Sequence, residues 1–119
     1  MRQVFPASMK RLKQARAHVF SHPVTAYLTE ARFLSDICIG VTHMHRKANP
    51  VTGQFTDGRL IHTSRLLRIE HETGFWILHT LSGSFYVIVS LCPHVGAESL
   101  HDALELLTEG ISNQPYRMQ

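Results

Sequence analysis

The best-specified part of this sequence is the stretch 57–91, in which three strand-like runs follow one another with only short turns between them. The runs are 59–70, 75–80 and 84–91, and they are separated by residues 71–74 and by Ser82-Gly83. Glycine readily adopts the positive φ that a tight hairpin turn requires. The pattern predicts a three-stranded antiparallel meander, around which we expect a small α+β domain to form.

Both faces of the second hairpin are apolar. If Leu81 pairs with Ser84, one face carries Trp76, Leu78, Phe85, Val87 and Val89, and the other carries Phe75, Ile77, His79, Tyr86 and Ile88. An antiparallel sheet with one wet face alternates apolar and polar residues, so both faces here need a cover. We expect a helix on one face and more sheet or a partner chain on the other; alternatively, the chain's own helices cover both faces. For a homodimer, the self-association candidates are Phe75, Ile77, Tyr86 and Ile88.

The flanking segments predict helices and one more strand. Apolar residues recur at helical spacing over 9–20 (with Ser8 as N-cap), over 23–36 and over 97–109, whereas 37–43 alternates as a strand and 46–58 is a turn-rich loop. We therefore expect an antiparallel sheet of about four strands, packed against the helices 23–36 and 97–109. The expected layout is a basic N-terminal arm or helix (1–22), a single α+β domain (23–111) and a polar tail (112–119).

Composition narrows the class of protein. The chain has 119 residues, of which 44% are hydrophobic and 18% are charged, as in an ordinary single domain. No apolar run approaches the roughly 20 residues that span a bilayer, and the start does not resemble a secretory signal, so we expect a cytoplasmic protein. Cys38 and Cys92 are too few for a disulfide framework and are expected to be reduced thiols.

Nothing in the pattern of residues predicts catalysis, a cofactor or a metal site. Among nine histidines, the best pair is His43-x-His45, because residues two apart on a strand point to one side. Two ligands do not make a site, and no third ligand is indicated. His62 and Ser64 share a strand face, but no nucleophile elbow or orienting carboxylate accompanies them. We therefore expect a protein that is not an enzyme.

Charge is segregated along the chain, whose net charge is +3. Residues 1–22 hold five Lys or Arg and no acid, whereas residues 97–119 hold four acids and one Arg. A basic surface of this kind can bind nucleic acid or steer a charged partner. The candidate macromolecule-binding residues are Lys10, Arg11, Lys13, Arg16, Arg46, Lys47, Arg59, Arg65 and Arg68.

Two short strings carry a resemblance. Asp57-Gly58-Arg59-Leu60-Ile61-His62-Thr63-Ser64 and the later Thr80-x-Ser82-Gly83-Ser84-x-Tyr86 resemble a pattern in small bacterial proteins encoded by plasmids and phages. The resemblance implies an accessory protein of a mobile element, a class that includes anti-CRISPR inhibitors of host defence. We thus expect a small binding protein that acts on a protein partner or a nucleoprotein complex. The alternative is a regulatory module that binds nucleic acid through the basic arm.

Overall fold

The structure is a computed structural model in which residues 6–112 are described, with side chains to residue 108; the predicted polar tail lies outside the described residues from 113 onward. Its elements in chain order are α1 (Pro6–Ala17), β1 (Ala26–Leu34), β2 (Ile37–His43), β3 (Leu60–His62), β4 (Leu66–Glu72), β5 (Phe75–Thr80), β6 (Phe85–Ile88) and α2 (Gly96–Ser112). The α+β class is therefore confirmed. The helices predicted over 9–20 and 97–109 are also present, with shifted ends, and the strand predicted over 37–43 is present with the same ends.

The sheet is larger than the sequence indicates, and it is mixed. Six strands lie in the order β3-β2-β1-β6-β5-β4. All neighbouring strands are antiparallel except β1 and β6, which run parallel through the pairs Ala26–Tyr86, Tyr27–Val87 and Leu28–Ile88. The parallel pair joins the β1–β3 half of the sheet to the β4–β6 half.

The helix predicted over 23–36 is wrong, because this segment is the central strand β1. A β-bulge between Thr29 and Arg32 inserts an extra residue opposite β2, and Glu30 there has a φ of 52°. The bulge changes the spacing of residues on one sheet face from two to three, so Leu28 and Ala31 both enter the same core. Apolar residues on both faces of a buried strand, with one three-residue step, resemble the spacing of a helix.

The run 59–70 is not one strand. It divides into β3 and β4, which form the two opposite edges of the sheet and are joined only by residues 63–65. In a flat sheet the outer two of six strands would lie about 24 Å apart, whereas this connection spans at most about 14 Å. The sheet must therefore curl. Hydrogen bonds from Thr63 N–H to Cys38 O (2.8 Å) and from Leu66 N–H to Asp36 O (2.7 Å) hold the connection against the β1–β2 hairpin.

The β5–β6 hairpin has a three-residue loop, 81–83, rather than the two-residue turn predicted. Thr80 pairs with Ser84 and His79 with Phe85, and Gly83 takes a φ of 86°. This shift by one residue reassigns the two faces. Tyr86 and Ile88 belong to one core with Trp76 and Leu78, whereas Phe75 and Ile77 belong to the other with Phe85 and Val87.

The chain covers both faces of this hairpin itself. Leu12 and Ala15 of α1 pack on the face of Phe75 and Ile77, and Leu100 and Ala103 of α2 pack on the opposite face. The four self-association candidates, Phe75, Ile77, Tyr86 and Ile88, are all buried. They cannot form a common surface for a second copy, because they lie in the monomer core on two sides of the sheet.

The described part of the chain contains no helix that is both long enough and apolar enough to cross a membrane. Cys38 is buried and Cys92 is half-buried, and both are free thiols. Burial raises the pKa of the Cys38 thiol to about 12, so this side chain behaves as a core residue.

Candidate functional site

Three separate segments meet where β1 and β6 begin. Because β1 and β6 are parallel and each has an antiparallel neighbour, the ends of β2 and β5 lie at the same place. Thr25 joins the segments: its N–H donates to Phe85 O (2.8 Å), its Oγ1 accepts from Phe85 N–H (3.0 Å), and its carbonyl accepts from Arg46 N–H (2.8 Å). The loops that flank four strands are thereby brought together.

These loops enclose an open, two-part depression that we call the cationic cleft. Its parts have volumes of about 210 and 340 Å³ and share Thr25, Arg46, Gly83 and Ser84. The lining is completed by His22, Pro23, Lys47, His79, Thr80, Ser82 and Phe85. The described residues of the lining include two exposed cations and several hydroxyl groups but no carboxylate, a combination that favours an anionic ligand.

One wall of the cationic cleft is a turn rich in hydroxyl groups. The Ser82 hydroxyl lies 2.9 Å from Ser64 Oγ, 3.1 Å from Thr80 Oγ1 and 3.4 Å from Ser84 Oγ. Ser84 N–H donates to Thr80 Oγ1 at 3.1 Å. This network holds the turn in one conformation, and Ser82 and Ser84 line the cleft together with Arg46 and Lys47.

His45 holds the segment that carries the two cations. Its ring is buried, stacks on Phe55 with centroids 4.2 Å apart, and places Nε2 3.4 Å from Tyr86 Oη. Its Nδ1 accepts a hydrogen bond from Lys47 N–H at 3.0 Å. Burial and the charge of Lys47 both lower the pKa of His45, so the ring is neutral and keeps Nδ1 available as an acceptor.

Two imidazole rings are in edge-to-face contact in the cationic cleft. His22 and His79 have ring centroids 5.7 Å apart and planes at 86°, and the Phe85 ring lies 5.3 Å from each of them. Ser21 N–H and Oγ donate to the Glu72 carboxylate at 2.9 and 2.8 Å. Since the one hydroxyl proton of Ser21 is thus used, its Oγ accepts from His22 Nδ1 at 3.0 Å, which leaves Nε2 with the lone pair.

The second ring is held by a carboxylate directly. His79 Nε2 lies 3.1 Å from Glu70 Oε2 and 3.3 Å from Arg68 Nη2. A carboxylate can only accept and a guanidinium can only donate, so one nitrogen cannot satisfy both groups. Glu70 is closer, and Arg68 is already paired with the same carboxylate at 3.0 Å. We therefore assign the Nε2 proton of His79 to the Glu70 contact, which leaves Nδ1 unengaged by these two groups.

A second basic surface lies on α1, which covers the sheet face that also carries His79 and Phe85. Lys10, Lys13 and Arg16 are exposed at intervals of three residues and form a stripe that we call the α1 stripe. The helix has no acidic residue. Arg11 differs from these three, because its guanidinium donates to Val89 O (3.3 Å) and Gly74 O (3.0 Å). Arg11 therefore anchors the helix.

The other predicted basic residues do not join the cationic cleft. Arg65 pairs with Asp36 at 2.9 Å and Arg68 with Glu70 at 3.0 Å. Arg59 is exposed beside Thr42, whose N–H donates to its carbonyl. Of the nine predicted residues, Arg46 and Lys47 line the cationic cleft, and the other seven are not among its described lining residues.

The histidine pairs considered from the sequence do not converge. His43 bonds through Nε2 to Thr29 Oγ1 (2.9 Å), whereas His45 contacts Tyr86 on the other sheet face, because Met44 with a φ of 57° turns the chain. The expectation that both point to one side is wrong. Ser64 bonds to Ser82, and His62 Nδ1 lies near Thr63 O. Among the described residues, no three His, Cys, Asp or Glu side chains are grouped to hold a metal ion.

Sequence reasoning misses His22, Thr25 and His79 as members of a site. His22 and Thr25 fall where the basic arm meets a predicted helix, and His79 falls on an apolar strand face. Their convergence depends on the parallel pairing of β1 with β6, which no local pattern of residues predicts. The only available signal is the unusual number of histidines.

Comparison of the chain with protein-family models, with curated proteins and with solved structures finds no match. The class that the fold defines is an α+β protein with a curled, mixed six-stranded sheet between two helices. The resemblance to mobile-element accessory proteins stays a prediction.

Proposed function

We propose that this protein binds nucleic acid, with the phosphate backbone contacting the cationic cleft and the α1 stripe. The observation that carries the proposal is the composition of the cleft: Arg46 and Lys47 line it together with Ser82 and Ser84, and none of the described residues that line it is a carboxylate. Phosphate oxygens accept hydrogen bonds from all four of these side chains. Electrostatic attraction supplies most of the affinity of such an interface.

The α1 stripe extends this surface. It lies on the sheet face that carries His79 and Phe85 of the cleft, and a helix of 12 residues is about 18 Å long. A strand of nucleic acid that occupies the cleft can therefore also contact Lys10, Lys13 or Arg16. We expect recognition of the backbone rather than of base sequence. Cations and hydroxyl groups form hydrogen bonds to phosphate and sugar, and these contacts carry no sequence information directly.

Binding is tested by fluorescence anisotropy with a labelled single-stranded oligonucleotide at several salt concentrations. We expect affinity to fall steeply with salt. Arg46→Glu and Lys47→Glu should each weaken binding and lower the salt slope by about 0.7 for each phosphate that the variant no longer neutralises. Arg32→Glu is the matched control, since Arg32 is exposed on β1 and does not line the cleft. Its effect should be smaller.

The proposal fails if affinity does not depend on salt, or if both charge-reversal variants bind as tightly as the control.

Inhibition of a host defence complex through a protein partner stays a prediction. An affinity pull-down with and without nuclease separates the two: a protein partner retained after nuclease treatment favours inhibition, and material removed by nuclease favours the cationic cleft.

A further inference from the structure

We propose that His22 and His79 act as a general base and a general acid that cleave RNA in the cationic cleft. This activity rests on the proposed binding of nucleic acid. The pair is absent from any local pattern, because the two residues lie in segments that are far apart in the chain and meet only in the folded sheet. That separation is why the sequence predicts no enzyme.

The geometry allows both rings to reach one phosphodiester group. Their centroids are 5.7 Å apart, both rings line the same open depression as Arg46, and His22 is exposed. A general acid or base acts from hydrogen-bond distance, about 2.6–3.2 Å, of the proton that it transfers. A phosphate group bound by Arg46 lies within the same cleft as both imidazoles.

The hydrogen bonds fix which nitrogen of each ring is available. The Glu72–Ser21 pair holds Nδ1–H of His22, so Nε2 has the lone pair that a base requires. Glu70 holds Nε2–H of His79, so a protonated His79 donates through Nδ1. Glu70, Ser21 and Glu72 are positioning residues in this arrangement, because they act through the rings.

The reaction that this pair supports is attack of the ribose 2′-hydroxyl on the adjacent phosphorus. His22 Nε2 removes the 2′-hydroxyl proton, the 2′-oxygen forms a bond to phosphorus, and the bond from phosphorus to the 5′-oxygen breaks. His79 Nδ1 gives a proton to the leaving 5′-oxygen. The products are a 2′,3′-cyclic phosphate and a 5′-hydroxyl end, and proton exchange with water restores both rings. Arg46 stabilises the charge on the non-bridging oxygens.

The substrate class follows from this chemistry. The nucleophile belongs to the substrate, so RNA is cleaved, whereas DNA and 2′-O-methyl RNA of the same sequence are bound and left intact. No redox partner or added nucleophile is needed. The described residues supply the base, the acid and the cation.

The test is incubation of the full chain with a labelled single-stranded RNA in the presence of EDTA, with identification of the product ends by mass spectrometry. We expect 2′,3′-cyclic phosphate ends, and a loss of about 100-fold or more in rate for His22→Ala and for His79→Ala. His62→Ala and His101→Ala are matched controls, since both histidines are exposed and lie outside the cleft. Both controls should cleave at the unchanged rate.

Folding of each variant is checked by circular dichroism, and His79→Gln replaces His79→Ala if the latter does not fold. Absence of cyclic phosphate ends overturns the proposal, as does cleavage by His22→Ala at the unchanged rate, which would identify a contaminating nuclease. Binding is measured separately with the 2′-O-methyl RNA. If that oligonucleotide binds and RNA is not cleaved, only the cleavage proposal fails; if it does not bind, the proposed function fails as well.

Discussion

Two threonines on neighbouring strands have buried hydroxyl groups that differ in hydrogen bonding. Thr29 and Thr42 are both fully buried on the paired strands β1 and β2. Thr29 Oγ1 lies 2.9 Å from His43 Nε2, whereas Thr42 Oγ1 has no hydrogen-bond partner within the described residues. A buried polar group without a partner costs free energy, and a methyl group in its place does not.

Opposite changes in stability follow from the same substitution at these two positions. We expect Thr42→Val to raise the free energy of unfolding by about 1 kcal/mol, because it removes the unpaired hydroxyl group. We expect Thr29→Val to lower it by about 1–2 kcal/mol, because it leaves the buried His43 without its partner. Urea unfolding of both variants measures the difference, and equal shifts in the midpoint would contradict the assignment.

At the residue scale, the sequence identifies the cations of the site better than its other members. Arg46 and Lys47 stand out because they lie in a polar loop. Loops run over the protein surface, so charged side chains in a loop are expected to be exposed. His22 and His79 do not stand out, since a lone histidine near apolar residues has no pattern of its own. Arg11 cannot be told apart from Lys10, because periodicity alone does not show that its guanidinium reaches two backbone carbonyls.

Among the elements, α1 has two distinct sides. Its buried side packs Leu12 and Ala15 on the sheet, and Arg11 ties it to the chain at Val89 and Gly74, with the guanidinium 4.3 Å from the Phe75 ring centroid. Its outer side carries the α1 stripe. Stability and binding are therefore separable within a few residues of one helix.

This separation is testable with a pair of alanine variants. Arg11→Ala should lower the free energy of unfolding by about 1–2 kcal/mol, because the variant lacks two hydrogen bonds and a cation–π interaction. Lys13→Ala should change it by less than about 0.5 kcal/mol and should instead weaken oligonucleotide binding. Thermal unfolding and anisotropy on both variants give the two readouts, and the reverse pattern would show that Lys13, not Arg11, anchors the helix.

Elements whose apolar residues keep one period are predictable from this sequence, and the element whose period is broken is not. The pattern of α2 is clear because Leu100 and Ala103 alternate with exposed acids. β1 lacks such a contrast, since it has buried residues on both sheet faces and its bulge breaks the period of two. The division of 59–70 is hidden because Thr63 is buried: its Oγ1 accepts from Cys38 N–H, so the chain leaves the strand without a glycine or proline.

For the whole molecule, the two cores lie on opposite faces of one sheet and share its central strands, so we expect them to unfold together. Two titratable groups of this unit, His43 and His45, are buried. Burial lowers the pKa of both rings below the ordinary value of 6.5, although Asp57 and Glu30 partly oppose this for His43. Both rings are buried in the folded state.

Stability should therefore fall as the pH drops below about 6.5. In that range the unfolded chain takes up protons at these histidines while the folded chain does not, so protonation favours unfolding. We expect a lower urea midpoint at acidic than at neutral pH, and a smaller difference in His43→Gln than in the exposed-histidine control His101→Gln. A midpoint that is unchanged or higher at acidic pH would contradict this.

The parallel contact between β1 and β6 also sets how quickly the molecule can form. It pairs Ala26–Leu28 with Tyr86–Ile88, so most of the chain must be gathered into a loop before this contact is made. Closing that loop lowers the conformational entropy of the chain, and this loss opposes folding until the contact has formed. The two antiparallel halves can form early from local hairpins, and their docking should be the slow step. A newly made chain would then expose both apolar faces of β5 and β6 until the last strand pairing is complete.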